Sequence, residues 1–141
     1  MFFKKIGGFL LGGWLMAAAA PALAETTPEN IEGTTRITAE ELIELASSKP
    51  DLVIIDARKA SDHEKGHIEG SIGLPDTETN EASLAAHIPS KDTPVVFYCN
   101  GVKCGRSVKS AKMAVALGYS DVYWFRGGWA EWTDKGYPVA K

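Results

Sequence analysis

Two cysteines fall within one short stretch, Cys99-Asn100-Gly101-Val102-Lys103-Cys104-Gly105-Arg106, and the chain holds no others. The first directly follows the apolar run Val95-Val96-Phe97-Tyr98, expected as a strand over 94–98. Ser107 opens an expected helix over Ser107–Leu117, in which Val108, Ala111 and Val115 recur at helical spacing. A loop that bends from strand into helix turns backbone N–H groups toward its centre, beside the positive end of the helix. A cysteine there is favoured as thiolate, the form that attacks sulfur and other electrophiles. Arg106 closes the loop, Lys103 lies within it, and Lys109 and Lys112 follow on the helix. This is the one local cluster of positive charge, so a small anion is the substrate it suits. The alternative is a buried, inert core cysteine. A glycine-containing, cationic loop ahead of a helix weighs against that reading.

The elements that must position this loop alternate between strand and helix. Thr38-Ala39-Glu40-Glu41 has capping-box spacing and opens a helix whose apolar side includes Leu42 and Leu45. Leu52-Val53-Ile54-Ile55 is a continuous apolar run, as expected of a strand covered on both faces, and it ends in Asp56-Ala57-Arg58. Ser61 and Glu64, again at capping-box spacing, predict a short helix over 61–65 closed by Gly66. A short strand is expected over 71–74, a weak helix over 82–87 and a last strand over 122–125. Gly118 is placed to cap the long helix, and Gly127-Gly128 opens a short Trp129–Trp132 helix. Such alternation predicts one α/β domain, a parallel sheet with helices on both faces. In open parallel sheets ligands bind beyond the carboxyl ends of the strands, where Cys99 stands. Trp124, Trp129 and Trp132 are expected as packing around the Arg126-Gly127-Gly128 turn, with an exposed docking wall as the other reading.

Composition bounds the possibilities. The chain has 141 residues, 45% apolar and 23% charged, with net charge −3, which suits one folded domain and argues against disorder. Two cysteines are too few for a disulfide scaffold. Lys4 and Lys5 precede an uncharged apolar run from Ile6 to Ala20, and Pro21 precedes Ala22-Leu23-Ala24. That pattern is expected of a signal peptide over 1–24, cleaved after Ala24, which places the protein in the periplasm or outside the cell. The competing reading is an uncleaved anchor. The run of 15 residues, interrupted by four glycines, falls short of the roughly 20 that a spanning helix needs. Cleavage leaves 117 residues with 13 basic and 18 acidic, and no stable membrane anchor. Residues 25–36 are expected to be a flexible lead-in, with the domain over 37–139. A mildly acidic chain without a basic stripe is not expected to bind nucleic acid.

The residues also resemble a known family. Ile55-Asp56-Ala57-Arg58, His63-Glu64, and Gly66-His67-Ile68-Glu69-Gly70-Ser71-Ile72 with Leu74-Pro75 resemble the first signature of rhodanese domains. Tyr98-Cys99 with Gly105-Arg106-Ser107, Gly118-Tyr119, Val122, Gly127-Gly128, Trp132 and Gly136-Tyr137-Pro138-Val139 resembles the remainder. The resemblance, over Ile37 to Val139, implies the rhodanese fold and sulfurtransferase chemistry without a cofactor. Cys99 would take a sulfane sulfur from an anionic donor such as thiosulfate, hold it as a persulfide, and yield it to a thiol or cyanide-like acceptor. Asn100, Gly101, Val102, Lys103, Gly105 and Arg106 would bind the donor. Asp56 and Arg58 match family positions beside the loop and are expected to organise it through hydrogen bonds. His67 is expected to pack and hydrogen-bond, His63 and His87 to be solvated, and no metal site is expected.

The loop departs from the family pattern C-x-x-G-x-R, in which the arginine stands five residues after the cysteine; here it stands seven after. Longer loops of this kind resemble those of cell-cycle phosphatases and arsenate reductases, although no acidic residue within this one offers a general acid. The added length also brings Cys104, five positions from Cys99 and within geometric reach of it. It is read as a resolving thiol, as a shield against over-oxidation of Cys99, or as a space-filling bystander. Two further readings compete with sulfur transfer. One is a thiol–disulfide redox or sulfur-relay protein, coupled to a periplasmic redox partner through the Cys99/Cys104 pair. The other is a non-catalytic binding module.

Overall fold

A computed structural model describes residues 27–141. The expected signal peptide over 1–24 and its cleavage site lie outside the described residues. The chain runs through β1 (Thr34–Arg36), α1 (Ala39–Ser48), β2 (Val53–Asp56), α2 (Ala60–Lys65), β3 (His67–Ile68) and β4 (Ile72–Gly73). A single 3-10 turn (Asp76–Glu78) leads to α3 (Glu81–His87), β5 (Val95–Tyr98), α4 (Arg106–Ala116), β6 (Val122–Phe125), α5 (Gly128–Asp134) and β7 (Val139–Ala140). Five strands form a parallel sheet in the order β1-β6-β5-β2-β4, and β3 pairs antiparallel with β7.

Side chains alternate across the sheet and build a core on each face. Val95, Phe97, Val122 and Trp124 join Val108, Ala111 and Ala114 of α4 and Leu84 of α3 on one face. Val96, Tyr98 and Phe125 join Ala39 and Leu42 of α1 and Trp132 of α5 on the other. All four residues of β5 are fully buried, which is why the run carries no polar alternation. Each such side chain contributes about 1.5–3 kcal/mol by leaving water, so the central strand is the firmest element from which to hang a reactive loop.

Several local expectations change. The lead-in over 25–36 is not wholly a lead-in, because Thr34–Arg36 pair in register with Val122–Trp124 as an edge strand. The sheet therefore begins ahead of the expected domain start at 37. The capping box at Ser61 does not form: α2 begins one residue earlier, its N-cap is Lys59, and no side chain caps it. A capping box does open α3, between Asn80 and Ser83. Gly118 follows the end of α4 at φ +94° and donates its N–H to the Val115 carbonyl, as a helix-terminating glycine should.

Candidate active site

Cys99 is the first residue beyond β5 and is almost fully buried, at 1% exposure, while Cys104 is only partly buried. Their Cα atoms lie 6.1 Å apart and the two residues are joined as a disulfide. The loop between them is held from outside. The first turn of α5 donates two backbone N–H groups into it, Trp129 to the Cys99 carbonyl at 2.8 Å and Ala130 to the Asn100 carbonyl at 2.9 Å. Gly128 makes this approach possible. Its φ is +56°, and a Cβ there would run into the Cys99 carbonyl oxygen. On the other side, the N–H and hydroxyl of Thr27 both donate to the Val102 carbonyl at 2.9 Å. Within the loop the Cys104 N–H donates to the Gly101 carbonyl at 3.1 Å. Among the described residues, the N–H groups of Asn100, Gly101, Val102, Lys103 and Gly105 donate to no protein acceptor. They are donors available to an anion.

Charge around the loop is arranged differently from the simple cluster the sequence suggests. The Arg106 guanidinium donates to Asp76, and Lys109 approaches the same carboxylate at 3.8 Å. Asp76 is itself buried, and its N–H donates to the Ala57 carbonyl, so Arg106 is aimed by an acid that follows β4. Lys103 is exposed. Arg106, Lys109 and Lys103 still outnumber the single carboxylate of Asp76 here. An open cleft of about 390 Å³ adjoins the loop, lined by Asn100, Gly101, Val102, Lys103, Cys104 and Ala130.

Beneath the loop lies a buried polar knot. Asp56, at the end of β2, accepts from the Arg58 N–H at 3.0 Å and from its guanidinium at 2.9 and 2.7 Å. The Tyr98 hydroxyl donates to the same carboxylate at 3.0 Å, and His63 Nδ1 lies 2.9 Å from it. His63 is thus not solvated as expected. It is mostly buried against Asp56 and stacks on His67 with ring centroids 3.7 Å apart, while His87 is exposed. The buried setting alone would raise the Asp56 carboxyl, but the Arg58 guanidinium, His63 and the Arg58 amide outweigh it and hold the carboxyl below its ordinary value. Burial and the Asp56 charge push the Tyr98 hydroxyl up, so it remains a donor. Arg58 also donates to the Gly66 carbonyl at 2.7 Å and lies over the Trp129 ring, 4.6 Å from its centroid. The knot therefore links the ends of β2 and β5, the segment after α2, and the helix that grips Cys99.

Asp56, Arg58 and the whole 99–106 segment thus lie in one region of the molecule. Asp76 and Thr27 also belong to it and carry no signal in the sequence, while Gly128 and Trp129, expected there only as a turn and as packing, belong to it as well. The Gly127-Gly128 pair was the one available signal, for a close backbone approach. The tryptophans divide by position: Trp124 is buried and donates from Nε1 to Ser107 at 3.0 Å, and Trp132 is buried and donates to the Pro138 carbonyl.

Comparison with known proteins agrees with this fold. Residues 38–135 match the family model of the Rhodanese-like domain. The mouse thiosulfate sulfurtransferase/rhodanese-like domain-containing protein 3 is 36% identical over 108 residues, which are 68% of this chain and 66% of that one, just under two thirds of its length. YibN of Escherichia coli K12 is 27% identical over 128 residues, covering 90% of this chain and 85% of that one. The human single-domain sulfurtransferase TSTD1 superposes with a TM-score of 0.61 at 23% identity, over 72% of this chain and 97% of that one, and so shares the fold.

Proposed function

This chain belongs to the rhodanese-like family, and on that footing we propose that it is an exported sulfurtransferase carrying sulfane sulfur as a persulfide on Cys99. The observation that carries the reading is the position of Cys99. It leads out of the buried central strand into a loop whose unengaged N–H groups run up to the N-terminus of α4. Once reduced, its thiolate attacks the outer sulfur of an anionic donor such as thiosulfate. The sulfur–sulfur bond of the donor breaks and sulfite leaves with the electron pair. A thiol or cyanide-like acceptor then attacks the sulfane sulfur, and Cys99 leaves as thiolate. The N–H groups of Asn100, Gly101, Val102, Lys103 and Gly105 hold the donor's oxygens, and Arg106 and Lys103 supply the field that draws it in. Asp56 and Arg58 keep the loop in place without touching substrate. The signal-peptide pattern over 1–24 supports export, which suits a protein whose two cysteines are paired.

The test is to reduce the protein, remove the reductant, add thiosulfate and cyanide, and measure thiocyanate together with the mass on Cys99. Thiocyanate formation, lost in Cys99→Ser, supports the reading. No thiocyanate and no sulfur on Cys99 would replace it with a binding module. Export is tested by fractionating cells that express the full chain, with mature protein beginning at Glu25 expected outside the cytoplasm. Full-length protein retained in the cytoplasm would refute it.

A further inference from the structure

We propose that Cys104 is a resolving thiol: it discharges the sulfur carried on Cys99 as sulfide, and the resulting Cys99–Cys104 disulfide is reopened by a dithiol that attacks the Cys104 sulfur. This rests on Cys99 acting as the persulfide carrier, as above. Three observations carry it. The two residues are bonded across a loop whose backbone is tied down on both flanks, so Cys104 reaches Cys99 within the folded protein. The pair is asymmetric, with Cys99 1% exposed and Cys104 partly open. The adjoining cleft is lined by Cys104 and not by Cys99, so an incoming thiol meets Cys104 first.

The chemistry balances. After transfer from the donor, Cys99 carries one sulfane sulfur. The Cys104 thiolate attacks the Cys99 sulfur, the bond from Cys99 to the sulfane sulfur breaks, and that sulfur leaves with the bonding pair as hydrosulfide. The two cysteine sulfurs are oxidised to a disulfide, and the sulfane sulfur is reduced by the same two electrons. Resetting needs two electrons from outside, supplied by a dithiol. One of its thiolates bonds to the Cys104 sulfur and displaces Cys99 as thiolate. Its second thiol then closes the reductant's own disulfide and frees Cys104, the protons passing to the released thiols. Cys99 is the better leaving group on this reading, because the unengaged N–H groups of Asn100, Gly101, Val102 and Lys103 follow it directly and favour its thiolate. The attack that reopens the pair therefore restores the nucleophile in its first step.

A single turnover tests the discharge step. Protein that has been reduced and freed of reductant is given thiosulfate alone, and sulfite, sulfide and protein mass are measured. The wild type should release one sulfide for each sulfite and finish two hydrogens lighter, with no sulfur gained. In Cys104→Ser the ratio of sulfide to sulfite should fall to near zero whatever its rate, with one sulfur retained on Cys99. Wild type that yields sulfite but keeps the sulfur overturns the resolving role and leaves sulfur transfer standing, as does an unchanged ratio in Cys104→Ser. Wild type that yields no sulfite overturns the transfer reading and this inference with it. The point of attack is read separately, by treating the oxidised protein with glutathione and capping free thiols with N-ethylmaleimide. Tryptic cleavage after Lys103 places the two cysteines in different peptides. Glutathione on Cys104 and maleimide on Cys99 are expected, and glutathione on Cys99 would overturn the assigned direction.

Discussion

Replacing Asp56 by Asn should destabilise the fold far more than an isosteric change of one group suggests. The carboxylate is fully buried and answers the Arg58 guanidinium, whose side chain is 3% exposed, along with Tyr98 and His63. Removing its charge leaves a buried cation with no anionic partner in the knot, facing the Gly66 carbonyl and the Trp129 and Tyr98 rings. Breaking a buried pair in this way costs about 3–5 kcal/mol, against a total of roughly 5–15 kcal/mol for a domain of this size. With a urea dependence of about 1.3 kcal/mol per molar, the unfolding midpoint should fall by about 2–4 M, read by tryptophan fluorescence with the disulfide kept intact. Adding Arg58→Met removes the stranded charge, so the double variant should be no less stable than Asp56→Asn alone. A midpoint shift under about 0.5 M, or a double variant whose losses simply add, would refute the account of the knot as a mutually dependent pair.

Acid should expose the same carboxylate. Its folded value lies below the ordinary one, so the unfolded chain takes up a proton first as pH falls. Its stabilisation is then complete above about pH 4 and is lost below that, and the stability gap between wild type and Asp56→Asn should narrow there; a gap that widens toward low pH would contradict the assignment. Gly128→Ala should cost about 1–3 kcal/mol and reduce sulfur transfer at least tenfold, because a Cβ there displaces the Cys99 carbonyl from α5. Wild-type turnover in that variant would show that the grip on Cys99 is dispensable. Arg106→Met should raise the KM for thiosulfate roughly three- to tenfold at low ionic strength, and by less in about 0.5 M salt. An unchanged KM would leave donor binding to Lys103 and the loop amides, without Arg106.

How far residues alone reveal this molecule depends on whether a feature is local. Val95-Val96-Phe97-Tyr98 and Leu52-Val53-Ile54-Ile55 announce themselves because burial on both faces demands unbroken apolar runs. The nucleophile's place follows from the strand before it and the helix after it. Thr34-Thr35-Arg36 escapes notice because a three-residue edge strand needs neither an apolar run nor alternation, only a free backbone edge on β6. His67–Ile68 and Val139–Ala140 pair across some seventy residues through main-chain groups that every residue type carries. The same reason hides Thr27, Trp129 and Ala130, which act on the loop through backbone donors. Asp76 is an ordinary polar residue until the fold sets it beside Arg106. Ser61 shows the converse, a local signal overruled because α2 starts at Ala60 and leaves the serine inside the helix.

The grip on the cysteine loop comes from near both ends of the described chain: Thr27 on one flank, and on the other Trp129, thirty residues after Cys99, with Ala130 beside it. In order of synthesis, both thiols emerge after Thr27 but well before Trp129 and Ala130, the donors of α5 that complete the grip. A growing or truncated polypeptide that stops short of Ala130 carries the two cysteines without the scaffold that buries one and opens the other. The distinction between an inner and an outer sulfur is therefore a property of the finished molecule, established only once its late segments have folded back over the loop.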